Sequence, residues 1–133
     1  MDKTTRDILL LKKIAKHCRE IAETHTEFGD RRELFRSDKP YFKSVSMDLL
    51  QIGKLAKHLS KDFRQKHKDI PFTQIIGLRN IVVHGYGKLT AETVWNISHD
   101  DTPLLHARCI EIAKEKDRDS NPENNPENPS NLT

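Results

Sequence analysis

The stretch that organises this chain reads Gly77-Leu78-Arg79-Asn80-Ile81-Val82-Val83-His84-Gly85-Tyr86-Gly87. Its apolar residues repeat with the period of an α-helix and cover most of the helix circumference. Such a helix is expected to be buried on two sides, one against the core of a helical bundle and the other against a second subunit. Arg79 and His84 interrupt this apolar surface, and burying such groups is costly unless they are paired or used.

The same helical periodicity extends toward the N-terminus, where it predicts two long helices and two short ones. The first long helix begins near Thr4, with Asp7 placed to help cap it, and the second spans about Asp38–Leu59. The short helices are predicted over Arg31–Arg36 and over Ser60–Lys66, with Ser60 as the cap. The buried positions of the long helices are expected to be Ile8, Leu11, Ala15, Cys18, Ile21 or Ala22, Val45, Leu49, Ile52, Ala56 and Leu59.

Three further helices are predicted toward the C-terminus. Asp69-Ile70-Pro71 opens the helix that carries the central stretch, and Gly85 or Gly87 ends it. A short helix over Thr90–Ile97 presents Val94 and Trp95 to the core. Asp101-Thr102-Pro103 opens the last helix. Its inward residues are expected to be Leu104, Leu105, Cys109, Ile110 and Ala113.

After Lys116 the composition changes to repeated Asn, Pro and Glu, with one apolar residue in seventeen. Such a segment cannot offset the entropy lost on ordering by burying apolar surface, so we expect a disordered tail. The prediction is therefore an all-α antiparallel helical bundle in one domain, residues 1–116, followed by a disordered tail, residues 117–133.

Charge and cysteine usage restrict the setting. Residues 1–116 hold 22 Lys and Arg against 16 Asp and Glu, a balance that favours a polyanionic partner. Cys18 and Cys109 fall on apolar stripes, where buried free thiols are expected. The N-terminal apolar run is too short for a signal peptide, and no segment is long enough to span a membrane. We expect a cytoplasmic protein.

Arg79 and His84 suit the cleavage of RNA. A guanidinium can hold a phosphate through two hydrogen bonds, and an imidazole can exchange a proton near neutral pH. The ribose 2′-hydroxyl supplies a nucleophile within the substrate, so no metal and no cofactor are expected. Because the two residues project about 140° apart on an ideal helix, using both requires distortion at Gly85 or a second copy of the motif across a two-fold axis. The dimer is favoured, but a salt-bridged Arg79 and a helix-capping His84 remain the alternative.

Other polar residues are open to two interpretations. Tyr86, between two glycines, is either an accessible hydroxyl or an aromatic ring packed against Trp95. A basic run either steers RNA or is a solvated face; it comprises Lys54, Lys57, Lys61, Arg64, Lys66 and Lys68. Six histidines form no metal-binding spacing and are expected to be solvated or to cap helices: His17, His25, His58, His67, His99 and His106.

The chain resembles the HepT-type toxins of the HEPN superfamily over about residues 5–113. The resemblance rests on Gln51-Ile52-Gly53 through Leu59-Ser60, Ile70-Pro71-Phe72, Gly77 through Tyr86, and Thr93-Val94-Trp95. It implies a homodimeric α-helical bundle and a metal-independent endoribonuclease whose two Arg-x4-His motifs meet at the dimer interface. It also implies a partner, a nucleotidyltransferase antitoxin of the MNT type that transfers AMP to the motif tyrosine.

On this chain the resemblance implies that Arg79 stabilises the scissile phosphate and His84 acts as acid or base. Asn80 would position the substrate or the histidine, and Tyr86 would be the AMP acceptor. One position departs from the pattern, because relatives commonly have Glu where this chain has Lys54. This exchange of charge keeps one alternative open, a non-catalytic regulatory or nucleotide-binding subunit of a nucleotidyltransferase complex. A plain helical adaptor is a third interpretation, and it predicts no effect from any substitution in the motif.

Overall fold

A computed structural model describes residues 2–77 and 91–120, and every regular element within them is helical. In chain order these elements are α1 (Lys3–Glu27), α2 (Arg32–Ser37), α3 (Lys39–Lys57), α4 (Lys61–Lys66), α5 (72–77), α6 (Ala91–Asn96), a π-helical turn (Ile97–Asp101) and α7 (Thr102–Ser120). No strand occurs in these residues, and the predicted all-α class is confirmed.

The three long helices α1, α3 and α7 form the body of the bundle, with α1 packed against both of the others. Asp7, near the start of α1, is hydrogen-bonded to Ser60, just beyond the end of α3. His25, near the end of α1, contacts Tyr41 at the start of α3 and Ser98 in the turn before α7. Both neighbours therefore run antiparallel to α1, as predicted.

The predicted apolar stripes of α1 and α3 are confirmed. Ile21 is buried, Ala22 is exposed, and Ile14 joins the stripe. Cys18 and Cys109 are buried free thiols, and burial raises the pKa of both, that of Cys109 to about 12. They therefore stay protonated and act as small apolar residues. The predicted core positions that are buried in α1, in α3 and in the turn after α3 are Ile8, Leu11, Ala15, Cys18, Ile21, Val45, Leu49, Ile52, Ala56 and Leu59.

The predicted inward face of α7 is partly wrong. Cys109 and Ala113 are buried, but Leu104 is 72% exposed and Ile110 is 38% exposed. Thr102, Cys109 and Ile112 instead set the buried stripe, with Leu105 partly buried between them. Steps of three and four residues keep these positions on one face of the helix, whereas Leu104 and Ile110 lie to either side of it.

The end of α7 also differs from the boundary expected from composition. The helix continues through residues 117–120, which the sequence assigned to the tail. Asp117 lies 3.4 Å from Lys12 of α1, and this ion pair ties the last turns of α7 to the bundle. Residues 121–133 lie outside the described residues, so the disorder predicted for them stays a prediction.

The capping role predicted for Asp7 is wrong. Asp2 caps α1, because its carboxylate accepts a hydrogen bond from the Thr5 amide at 2.7 Å. Asp7 is buried and accepts hydrogen bonds from the Ser60 amide at 2.9 Å and the Ser60 hydroxyl at 2.6 Å. The Ser60 hydroxyl in turn accepts from the Phe63 amide, so Asp7 fixes the cap of α4, a helix distant in sequence.

We expect Asp7→Ala to lower the free energy of unfolding by about 2–3 kcal/mol, because it removes two hydrogen bonds to a buried carboxylate and leaves the amide and hydroxyl donors of Ser60 without that acceptor. Asp2→Ala is the matched control. It removes one exposed cap from the same helix, and the expected loss is at most about 1 kcal/mol. Urea unfolding of both variants measures the difference, and equal losses would show that the Asp7 contact contributes no more than a surface cap.

No helix within the described residues combines the length and apolar character needed to cross a bilayer.

Candidate functional site

The residues predicted to carry the chemistry lie outside the described part of the chain. Arg79, Asn80, His84 and Tyr86 all fall within residues 78–90, so their roles stay predictions. The structure shows how both flanks of this segment are held. Residue 77 ends the described part of α5, and Ala91 begins α6.

The flank that enters the segment is anchored by burial and by one ion pair. Ile70 and Phe72 are each 5% exposed, and Ile75, predicted for the core stripe, is also buried. Arg108 of α7 donates a hydrogen bond from Nε to Asp69 at 2.6 Å. This guanidinium holds the pKa of the Asp69 carboxyl below its usual range. The start of α5 is therefore fixed to the core and to α7.

The flank that follows residues 78–90 is anchored by Trp95 of α6. As predicted, Val94 and Trp95 of α6 are buried. Trp95 stacks on His99, with ring centroids 5.0 Å apart, and His99 lies 3.0 Å from the Asp30 carboxylate. The contact of Tyr86 with Trp95 that the sequence offered as one interpretation lies outside the described residues.

A buried histidine sits beneath Trp95, and the solvated or capping role predicted for it is wrong. His25 is 6% exposed, and its ring lies 5.0 Å from that of Trp95 and 6.0 Å from that of Phe35. It follows Cys18 and Ile21 at steps of three and four residues, so it occupies the buried stripe of α1. That spacing was the sequence signal for its burial.

The hydrogen bonds of His25 fix its tautomer. The Ser98 hydroxyl donates to the Trp95 carbonyl at 3.1 Å, so its oxygen is left to accept from His25 Nε2 at 2.8 Å. His25 Nδ1 then accepts from the Tyr41 hydroxyl. This directed chain suits a neutral imidazole. Accordingly, burial lowers the pKa of His25 and raises that of Tyr41 to about 12.

An apolar cleft of about 630 Å³ runs beside α5. The Asp69–Arg108 ion pair lies in its wall, and the largely exposed Leu104 is at its edge. Its apolar lining in the described residues includes Leu49, Ile52, Ile75, Ile97, Leu104 and Leu105. The cleft offers shape and apolar contact but few groups for acid–base chemistry.

One group of side chains has the composition of a metal site. His17 and Glu20 of α1 and Asp48 of α3 place one ligand atom each within 4.8 Å of one another. Burial raises the pKa of Asp48 to about 6, and a hydrogen bond to Asp48 lowers that of Glu20. Both carboxylates lie beside His17, whose Nδ1 is 2.9 Å from Asp48 and 3.4 Å from Glu20. No metal-binding spacing is visible in the sequence because these ligands come from two helices.

Lys54, the position that departs from the family pattern, is exposed on α3. It forms no ion pair with any carboxylate in residues 2–77 and 91–118. A glutamate at this position would also be solvated unless a group from residues 78–90 approached it. The exposure of Lys54 therefore lets the fold accept either charge.

Comparison with known proteins identifies a family match over most of the bundle. The family described as Ribonuclease HepT-like matches residues 13–112. A candidate RNase of Methanocaldococcus jannaschii is 35% identical over 71 residues, which cover 53% of this chain and 65% of that protein. The match thus spans just under two thirds of that relative's length.

Two further relatives are covered more fully. A candidate RNase of Caldanaerobacter subterraneus subsp. tengcongensis is 29% identical over 84 residues, 63% of this chain and 75% of the relative. A candidate ribonuclease HepT of Thermococcus cleftensis is 27% identical over 82 residues, 62% of this chain and 74% of the relative. No solved structure matches the chain significantly.

Proposed function

The chain belongs to the HepT-like ribonuclease family, and from this premise we propose that it is an endoribonuclease that cuts RNA without a metal ion. The observation that carries the proposal is that the family match, residues 13–112, includes the complete motif from Arg79 to Tyr86. The excess of cations over anions in residues 1–116 supports a polyanionic substrate.

In the proposed reaction the substrate supplies its own nucleophile. His84 or its counterpart on a second subunit removes the proton of a ribose 2′-hydroxyl, whose oxygen attacks the adjacent phosphorus. The bond from phosphorus to the 5′-oxygen breaks, and that oxygen takes up a proton. The products are a 2′,3′-cyclic phosphate and a free 5′-hydroxyl. Arg79 stabilises the charge on the phosphate, and Asn80 positions the substrate or the imidazole.

We further propose that the active unit is a homodimer with the two motifs at the subunit interface. The separation of Arg79 and His84 around a helix requires groups from two copies or a distorted helix end. The apolar cleft beside α5 and the exposed Leu104 at its edge support a subunit contact on this side of the bundle.

The proposed regulation makes this chain the toxin of a cytoplasmic toxin–antitoxin pair. Its partner would be a nucleotidyltransferase antitoxin of the MNT type, which transfers AMP from ATP to Tyr86. The tyrosine oxygen attacks the α-phosphorus of ATP, pyrophosphate leaves, and a phosphodiester anion remains. An anion and a nucleoside two residues from His84 would exclude the RNA phosphate and occupy Arg79.

Cleavage of RNA in EDTA by the purified chain tests the proposed reaction. The substrates are a labelled RNA and the same RNA with a single 2′-deoxynucleotide at the mapped cut site. We expect the first to yield a cyclic phosphate and the second to resist at that site. Intact mass must first show that Tyr86 carries no AMP. If the unmodified chain then fails to cut RNA, the regulatory-subunit alternative replaces the nuclease.

A further inference from the structure

Three cations of the basic run gather on one side of α4 and line a groove. Lys61 and Arg64 are three residues apart on α4 and so share a face, and Lys68 lies in the turn just beyond the end of the helix. They line a cavity of about 440 Å³ whose other wall is the start of α5. Lys54 and Lys57 of α3 and Lys66 of α4 do not line it, so only half of the run belongs to the groove.

The charge of this groove is not cancelled by the described part of the protein. The two carboxylates of the same segment contact other cations: Asp62 lies 4.0 Å from Lys3, and Asp69 lies 2.6 Å from Arg108. Among residues 2–77 and 91–118, no carboxylate lines the groove or forms an ion pair with its three cations. The groove is therefore a locus of positive potential.

Arg64 also has an unused hydrogen-bond donor. Its Nε is buried and finds no acceptor among the described residues. Buried donors are normally satisfied, and a guanidinium is best satisfied by an anion with two acceptor oxygens. The half-buried Arg64 is thus held in the wall of the groove with a donor that no described residue satisfies.

The remaining lining is suited to a phosphate backbone and not to bases. Ile70 and Phe72 form an apolar floor, but both are 5% exposed, so Phe72 presents no ring face on which a base could stack. Gln65, Thr73 and Gln74 add neutral polar groups. Cations with no stacking surface recognise phosphates without regard to sequence.

We propose that the Lys61–Arg64–Lys68 groove binds the backbone phosphates of the RNA strand whose cleavage is the proposed function. Gln74 precedes Arg79 by five residues, so the two Cα atoms are at most about 18 Å apart in any conformation. A strand held in the groove therefore lies within a few nucleotides of the motif. The groove sets affinity for long substrates, and the motif carries out the chemistry.

The test compares two triple variants of equal charge change. The first is Lys61→Gln, Arg64→Gln, Lys68→Gln. The matched control is Lys13→Gln, Lys16→Gln, Arg19→Gln, which removes two exposed lysines and one exposed arginine from α1. Fluorescence anisotropy gives the affinity for a mixed-sequence single-stranded DNA between about 50 and 200 mM salt, a range over which phosphate contacts dominate the change. DNA has no 2′-hydroxyl, so binding is measured without cleavage.

We expect the groove variant to bind the DNA about 10- to 100-fold more weakly. The slope of log affinity against log salt should also become shallower by about 2, because three phosphate contacts are lost and each contributes about 0.7. The control should keep most of the slope. Equal losses in both variants, or affinity that changes with base sequence, would overturn the proposal. If the triple variant fails to fold, the exposed pair Lys61→Glu, Lys68→Glu replaces it.

Cleavage kinetics separate this proposal from the proposed function. On a long RNA the groove variant should raise KM and leave kcat unchanged, because the groove contributes binding and not chemistry. A chain that binds DNA through the groove but cuts no RNA contradicts the ribonuclease proposal alone. A chain that cuts RNA, with unchanged binding in the groove variant, contradicts the groove alone.

Discussion

His84→Ala is expected to reduce the rate of RNA cleavage about 10²- to 10⁴-fold, which is the usual contribution of a positioned general acid or base. Arg79→Ala is expected to cause a loss of similar size, because it removes the cation that stabilises the phosphate as charge develops. Arg79→Lys should recover part of this loss, since lysine keeps the charge but cannot form two parallel hydrogen bonds. Initial rates on one labelled RNA in EDTA measure all three.

His58→Ala is the matched control for His84→Ala. His58 is an exposed histidine at the end of α3, and its replacement should leave the rate unchanged. Circular dichroism melting of every variant shows whether a lost rate reflects lost structure. Full activity in folded His84→Ala would exclude the imidazole as the acid or base, and it would return the residue to the helix-capping alternative.

The sequence predicted the architecture well because period and caps are local properties. Apolar spacing placed α1, α3 and α6, and Ser60 marked the start of α4 correctly. The same logic failed where a residue's role depends on a distant partner. Asp7 resembles a helix cap until the fold brings Ser60 to it, and no local pattern joins positions 53 residues apart.

The roles assigned to the motif residues depend on the family resemblance more than on physical arguments from the sequence. Helical geometry placed Arg79 and His84 on different faces and so suggested two subunits, but only the family pattern gave Tyr86 a role. Two polar clusters escaped prediction because each is assembled from separate helices: His17, Glu20 and Asp48 in one, and the contacts of His25 in the other.

His25→Ala is expected to lower the free energy of unfolding by about 3–5 kcal/mol, the largest effect on stability among the substitutions considered. It opens a cavity between Phe35 and Trp95, and it leaves the hydroxyls of Tyr41 and Ser98 without their partner. Tyr41→Phe removes a single hydroxyl and should cost about 1–3 kcal/mol. Urea unfolding at neutral pH compares them, with His58→Ala expected within about 0.5 kcal/mol of wild type.

The same variant should alter how stability depends on pH. Burial lowers the pKa of His25 in the folded state, with His99 adding to this effect and Asp30 opposing it. Below about pH 6.5 the unfolded chain therefore takes up this proton more readily than the folded chain. The stability that neutral His25 contributes is present above that pH and is lost as the pH falls. Wild type should thus lose stability on acidification more steeply than His25→Ala.

The difference between the two pH profiles isolates His25 from other titrating groups. Burial also lowers the pKa of His67, which acts in the same direction, whereas the raised pKa of Asp48 favours the folded state as the pH falls from about 6. Both groups are present in wild type and in His25→Ala, so their contributions cancel on subtraction. Parallel profiles would mean that folding does not hold His25 neutral. A protonated His25 would donate from both ring nitrogens, so its hydrogen bond with Tyr41 would run in the opposite direction while those to Ser98 and Trp95 would not change.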